Sequence, residues 1–397
     1  MKIINIRDSA QAATIFKTIG VDPYGINAMI PKAINVNLLL KDKSCKVANI
    51  LKQEMLSIGG DAAVARGSVA CSIKKTDVLI MGTVKQIAAL TGKIEKQPFG
   101  LDIIAHDLRE ILKNIGQKEY ILKTSRRDIT LGRKTQIMGV LNVTPDSFSD
   151  GGLYYSPQKA IDHGLQMIAE GVDIIDVGGE STRPGAAVVS VKDELKRVIP
   201  VIYGLSRQKK IPISVDTTKA QVAKEAMAAG AEIVNDISAL ASDKKMAKTL
   251  QGGKAALILM HMRGKPQNMQ KGNLAYSDLM NGIVVHLQKS VAEALAAGIA
   301  KESLVIDPGI GFGKTAEDNY RIIHNLSELK TLGLPIMIGT SRKSFIGKIT
   351  GDDPQDRVEG TAATVTAAIL NGCHIVRVHD IAFMKKVVAV ADAIINI

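Results

Sequence analysis

The sequence predicts a closed TIM (β/α)8 barrel preceded by a smaller N-terminal α/β domain. Three observations carry that expectation. From about residue 135, short apolar runs alternate with amphipathic stretches; the runs lie at 136–142, 172–178, 211–216, 232–236, 255–261, 303–307, 335–339 and 374–378. Each is almost continuously apolar, as strands covered on both faces should be. Nearly every one ends in a polar residue or leads into a polar loop. Eight such units in about 260 residues is the size of one barrel. An open, doubly wound sheet is the rival, but no dinucleotide-type glycine fingerprint follows any run.

The remaining elements follow from periodicity. Helical spacing fills 157–169, 193–205, 218–229, 278–297, 358–371 and 380–395, between and after the strands. Upstream, 34–40, 62–65 and 78–82 read as strands, and 45–57, 83–90 and 101–115 as helices. These form an α/β domain over 1–131, without a nucleophile–base pair, metal spacing or phosphate loop. Its Gly59-Gly60-Asp61 and Arg66-Gly67 read as turns. The basic run Lys123-Thr124-Ser125-Arg126-Arg127-Asp128 reads as the linker, with the second domain spanning 132–397.

Composition narrows the classes. Hydrophobic residues are 46% of the 397, aromatics only 3% and Trp absent, so the core must be aliphatic. Cys45, Cys71 and Cys373 are too few and too scattered for a disulfide framework or a zinc site. A reducing, cytoplasmic location is expected. No signal peptide is evident, and no run approaches the ~20 apolar residues of a membrane helix. The net charge of +12 suits an anionic partner. The cations are scattered and base-stacking aromatic pairs are missing, so a phosphorylated small molecule fits better than nucleic acid.

The chemistry gathers at the strand ends. The first strand runs into Asn142-Val143-Thr144-Pro145-Asp146-Ser147-Phe148-Ser149-Asp150-Gly151-Gly152, a polar, glycine-ended loop. The others reach Glu180-Ser181-Thr182-Arg183-Pro184-Gly185, Asp216, Asn235-Asp236, Met260-His261, Asp307-Pro308-Gly309-Ile310-Gly311-Phe312-Gly313-Lys314, Ser341-Arg342-Lys343-Ser344 and Arg377-Val378-His379-Asp380. A single Asp or Asn there can be a helix cap. Eight endings on one barrel face are a site. Asp216, Asn235, Asp307 and Lys343 suit a flat heterocycle with N–H donors and ring nitrogens, and Met260 and Phe312 its walls. Arg377, His379 and Asn142 meet where strand eight adjoins strand one, and suit an anion, with Arg183 reaching in as a further cation. Asn142 also offers an oxygen suited to Mg2+.

These motifs, in this order, resemble those of the dihydropteroate synthases, over roughly 135–397. The resemblance does not obviously cover the first third. It implies condensation of para-aminobenzoate with 6-hydroxymethyl-7,8-dihydropterin diphosphate, giving 7,8-dihydropteroate and pyrophosphate. It implies catalytic roles for Asp216, Lys343, Arg377, His379 and Asp150. Substrate contacts fall to Asp216, Lys343, Arg377 and His379, and to Thr182, Arg183, Pro184, Asn235, Met260, Asp307, Phe312, Ser344 and Phe148. Mg2+ on Asn142 and a homodimer complete the expectation, with sulfonamides as inhibitors. The loops 143–152 and 180–187 would close over the ligands and build the aminobenzoate pocket.

Two other readings stay open at this point. A methyltetrahydrofolate-using barrel could share Asp216 and Asn235 but has no need of Arg183, Lys343 or the anion cluster. A non-catalytic pterin- or nucleotide-binding protein would bind without turnover.

Overall fold

The structure is a computed structural model that describes all residues except 145–155, 182–184, 186, 209, 265–267, 271, 273 and 397. Two compact units divide the chain, Met1–Gln117 and Lys118–Ile397.

The first unit opens with α1 (Ser9–Ile19) and α2 (Pro23–Ala33). It continues through β1 (Asn35–Ser44), α3 (Cys45–Ser57), β2 (Asp61–Val64), β3 (Lys75–Thr83), α4 (Val84–Ile94) and α5 (Leu101–Gly116). The strands form an antiparallel sheet, β1-β3-β2. Leu38, Ala62, Val78 and Ile80 of one sheet face pack on Leu51 and Met55 of α3, Ile87 and Leu90 of α4, and Leu101 and Leu108 of α5. The sequence-based elements are found, and α1 and α2 are additional. Each of those two buries a single residue, Ala12 or Ile26, so neither carries the apolar stripe that periodicity detects. Their signals were caps: Asp8 accepts from Ala10 N and Gln11 N, and Asp22, followed by Pro23, accepts from Tyr24 N.

The second unit begins with a hairpin, β4 (Tyr120–Lys123) and β5 (Asp128–Leu131). The barrel strands follow: β6 (Gln136–Asn142), β7 (Ile174–Gly178), β8 (Ile213–Asp216), β9 (Ile233–Asp236), β10 (Ala256–Met260), β11 (Leu304–Asp307), β12 (Met337–Ile338) and β13 (Ile375–Val378). All pair in parallel, and a bridge between Ile306 and Ile336 closes the ring. The helices outside it are α6 (Pro157–Glu170), α7 (Val191–Gln208), α8 (Ala220–Ala229), α9 (Met246–Leu250), α10 (Leu279–Ala296), α11 (Ala316–His324), α12 (Ser344–Thr350), α13 (Val358–Leu370) and α14 (Ile381–Ile395).

Strand periodicity sorts the barrel side chains into two sets. Ile137, Leu141, Ile175, Val177, Val215 and Val376 pack outward with the helices. Met138, Ile174, Ile233, Ile258, Val305, Met337 and Ile375 fill the barrel interior together with Tyr120, Leu122, Ile129 and Leu131 of the hairpin. The hairpin therefore plugs the N-terminal end of the barrel.

This corrects the reading of 123–128 as a linker. It is the hairpin turn, and it is bonded to the barrel. Arg127 donates to Glu232 through Nε at 3.0 Å and Nη2 at 2.8 Å, and Thr124 Oγ1 donates to the same carboxylate at 2.9 Å. A solvated charge run and a turn whose arginine meets a buried carboxylate look alike in sequence. Glu232, 108 positions from Thr124, makes the difference.

Candidate active site

The inward-facing set changes character along the barrel. At the C-terminal end it becomes Asp176, Asp216, Asn235, Asp307 and Arg377. Strand register sets these side by side: Asn142 pairs with Gly178, Gly178 with Asp216, and Asp216 with Asn235. A Cβ built on Gly178 would lie 3.8 Å from Asn142 Oδ1 and 3.9 Å from Asp216 Oδ2, so both oxygens border that glycine.

Arg377 organises the centre. Its Nε donates to Asp176 Oδ2 at 2.6 Å, and its Nη2 to Asp216 Oδ2 at 2.9 Å. Asn235 Nδ2 donates to the same Asp176 oxygen at 3.0 Å. This fixes the Asn235 amide with its oxygen as the uncommitted end. Among the described residues, Asp176 Oδ1, Ser214 Oγ and Asn235 Oδ1 are buried without a partner. Buried acceptors of this kind are costly unless a donor arrives. Two carboxylates share one guanidinium, and burial pushes the Asp216 carboxyl up to about 7; Arg377 opposes the shift, and Asp176 reinforces it.

The loop after β11 forms the facing wall. Asp307 is buried and accepts from Gly309 N at 2.6 Å. Burial raises its pKa, against the pull of Lys343. Lys343 donates to Ile310 O, and its Nζ lies 4.9 Å from the centre of the Phe312 ring. Burial lowers the Lys343 ammonium to about 8, with Asp307 acting the other way. One pocket is lined by Asp216, Asn235, Ile237, Met260, Asp307, Phe312, Gly339, Lys343 and Arg377. It is a narrow cleft between these side chains.

Beyond this pocket, His379 Nδ1 lies 3.0 Å from Ser341 Oγ, which also accepts from His379 N. Arg342, at φ 58°, forms a two-point ion pair with Asp380, and its backbone N–H donates to Thr361 Oγ1 at 3.1 Å. That bridge ties the β12 loop to the start of α14. A wider cavity of about 460 Å³ adjoins Asp216 on the β7–β10 side. There Lys219 bridges Glu180 and the buried Glu194.

Seven residues singled out in the sequence thus line one pocket: Asp216, Asn235, Met260, Asp307, Phe312, Lys343 and Arg377. Asn142 stands at the end of β6 beside them, and His379 at the end of β13. Ser344 is the exposed first residue of α12 and does not line this pocket. Phe148, Asp150, Thr182, Arg183 and Pro184 lie outside the described residues. The sequence reading passed over Asp176, because it looked at strand ends. Its signal was parity: in Ile174-Ile175-Asp176-Val177-Gly178 it falls on the inward-facing phase, a carboxylate in an otherwise apolar strand.

The family described as pterin binding enzyme matches residues 138–379. The dihydropteroate synthase of Synechocystis is 49% identical over 265 residues, which are 66% of this chain and 91% of the relative. The chain belongs to the dihydropteroate synthase family. The Bacillus subtilis member is 45% identical, over 70% of this chain and 94% of its own. A probable bifunctional folylpolyglutamate synthase/dihydropteroate synthase of Halobacterium salinarum is 37% identical over 373 residues, 94% of this chain and 44% of that protein. That similarity extends into the first unit. Among solved structures, a Yersinia pestis dihydropteroate synthase with a bound sulfonamide drug superposes with TM-score 0.65 at 42% identity, over 70% of this chain and 100% of that one. A Burkholderia cenocepacia dihydropteroate synthase complexed with 7,8-dihydropteroate gives TM-score 0.63 at 37% identity, over 69% and 96%.

Proposed function

We propose that the protein is a transferase of folate biosynthesis that joins 6-hydroxymethyl-7,8-dihydropterin diphosphate to para-aminobenzoate, giving 7,8-dihydropteroate and pyrophosphate. The observation that carries this is the central pocket. The free Asn235 oxygen and the carboxylates of Asp216 and Asp307 accept from ring N–H groups. Lys343 and Arg377 donate to ring nitrogens and to the oxo group. Phe312 and Met260 cover the ring faces. A pterin offers this complement of donors and acceptors in one plane.

The reaction breaks an exocyclic CH2–O bond and forms a C–N bond. The pterin can delocalise positive charge at that carbon, so departure of pyrophosphate runs ahead of attack. Asp216 and Asp176 place negative charge under the developing cation. Arg377 and His379 receive the negative charge that builds on the leaving group. The aminobenzoate nitrogen is unprotonated at neutral pH, so no general base is required. Lys343, Phe312 and Ser344, with Phe148, Thr182, Arg183 and Pro184 from the two loops, form the aminobenzoate side of the reading. Asp150 belongs to the first of those loops.

Mg2+ fits as a companion of the diphosphate. Among the described residues no group of three or more His, Cys, Asp or Glu could hold a metal. Mg2+ is commonly held by one or two protein oxygens plus substrate phosphates and water, and the Asn142 amide oxygen meets that requirement. When bound, the ion would neutralise diphosphate charge.

Residues 1–117 form a compact unit of their own. The 132–397 assignment to the pterin-binding domain is extended back to Lys118, so that the hairpin stays with the barrel. No helix among the described residues is long and apolar enough to cross a membrane. A cytoplasmic homodimer completes the reading.

The test is pyrophosphate release by the purified full chain. Release should require the pterin diphosphate and para-aminobenzoate together, and a sulfonamide should compete with the latter. Release that is indifferent to the amine would overturn the reading.

A further inference from the structure

Lys314 closes the β11 loop and is 3% exposed. It does not line the central pocket. Four acceptors surround its Nζ: His261 Nδ1 at 2.9 Å, Gly309 O at 2.9 Å, Phe312 O at 3.1 Å and His261 O at 3.3 Å. An ammonium has three N–H donors, and three of these acceptors lie within 3.1 Å. Burying an ammonium is costly unless every proton is received. A methionine would fill the same space without that cost, so the lysine answers to geometry rather than to packing.

Two of the acceptors, the Gly309 and Phe312 carbonyls, bracket Ile310 and Gly311. The ammonium therefore ties the loop into a curl from within, and joins it to His261 at the end of β10. The curl is tight. Gly309 has φ 69°, and a Cβ there would sit 2.0 Å from His261 O. Other groups hold it too: Gly311 N donates to Asn319 Oδ1 at 2.7 Å, and Tyr276 OH donates to Gly313 O at 3.1 Å. From this curl come the two features that meet Lys343, the Ile310 carbonyl and the Phe312 ring.

We propose that Lys314 is a positioning residue: it holds main chain 309–312 so that Phe312, and through the Ile310 carbonyl Lys343, stand against a bound pterin ring. The proposal rests on the pterin-binding reading above. Burial pushes the Lys314 ammonium down to about 7, and Asp307 acts to keep it charged. The same burial, with Lys314 beside it, holds the His261 imidazole neutral down to about 2, which keeps Nδ1 available as an acceptor.

The experiment is calorimetric titration of 6-hydroxymethylpterin into the full chain and into Lys314→Met, Phe312→Ala and the double variant. Lys314→Met should bind at least about tenfold more weakly. In the Phe312→Ala background the same substitution should cost less, about threefold, because one of the two groups it positions is gone and only the part acting through the Ile310 carbonyl on Lys343 remains. A purely structural lysine would give equal losses in both backgrounds, and that result overturns the proposal. So does unchanged affinity in Lys314→Met. If Lys314→Met fails to fold, Lys314→Gln keeps two N–H donors and should lose at least about threefold; no loss there overturns the proposal equally. Failure of the wild-type chain to bind the pterin would instead sink the pterin reading, and this proposal with it.

Discussion

The two ends of the barrel treat buried charge in opposite ways. At the hairpin end, Glu232 is 1% exposed and both its oxygens are bonded, by Arg127 and Thr124. At the rim, Asp176 is equally buried, yet among the described residues one of its oxygens has no partner, and neither do Ser214 Oγ and the Asn235 amide oxygen. Among the described residues, the Asp176–Asp216 pair shares one guanidinium, that of Arg377. The hairpin end has its polar groups matched within the chain. The rim keeps acceptors in hand for something that brings donors. Natural proteins leave few buried polar groups unmatched, so a cluster of them on one face marks where a ligand completes the structure.

The contrast predicts different damage at the two ends. The largest effect should come from Arg377→Met, which removes the cation from both Asp176 and Asp216 and from the leaving-group side. We expect kcat/KM, read as pyrophosphate release, to fall about a hundredfold or more. A loss under about threefold would place Arg377 outside the chemistry and break the comparison. At the other end, Arg127→Met leaves Glu232 buried with only Thr124. The barrel's unfolding transition in denaturant should weaken by about 3 kcal/mol, as for other broken buried pairs, while kcat at 25 °C stays within about twofold. A drop in kcat with stability unchanged would reverse the assignment of the two ends.

A smaller effect sharpens the comparison through pH. Burial lifts Asp216 from 3.8 to about 7. Between those values the folded chain holds a proton that the unfolded chain has released, so this group's contribution to stability is lost as pH rises through that window. His374 lies at the hairpin end, its ring edge-on to Tyr120 at 5.0 Å, its Nδ1 accepting from Ile336 N. Burial, with Lys330 adding to it, lowers this imidazole from 6.5 to about 4. Here the unfolded chain protonates first, so stability is lost as pH falls from 6.5. Asp216→Asn should therefore gain on the wild type in melting temperature from about pH 5 to pH 7. His374→Asn should gain on it from about pH 6.5 down to pH 4.5. Parallel pH trends in the two variants would show that the ends do not differ in this way.

Much of the barrel was legible in the chain. Each apolar run is a strand within two or three residues, because strands buried on both faces need unbroken hydrophobicity and the loops after them do not. The central site was legible for a related reason. Polar residues at the C-terminal ends of parallel strands have few structural alternatives, so Asp216, Asn235, Asp307, Lys343 and Arg377 stood out. Asp176 did not, since it sits inside a strand and only its phase betrays it. The hairpin 120–131 was hidden because two four-residue strands carry too little pattern, and because Arg127 and Thr124 find their partner more than a hundred residues away.

The sequence by itself determined the order of the eight barrel strands, the chemistry of the strand ends and the family to which they point. Those depend on local periodicity and on residue type, which the chain carries in one dimension. Tertiary structure alone decided which acceptors are left over among the described residues and which lysine is enclosed by its own loop. Lys314 and Lys343 both follow glycine-rich or small-residue loops and read alike as cations. Folding surrounds one with four acceptors, two of them carbonyls of its own loop, and sets the other over Phe312 at the pocket. A hydrogen bond is a relation between two positions, and closing the barrel is what brings the second position within reach.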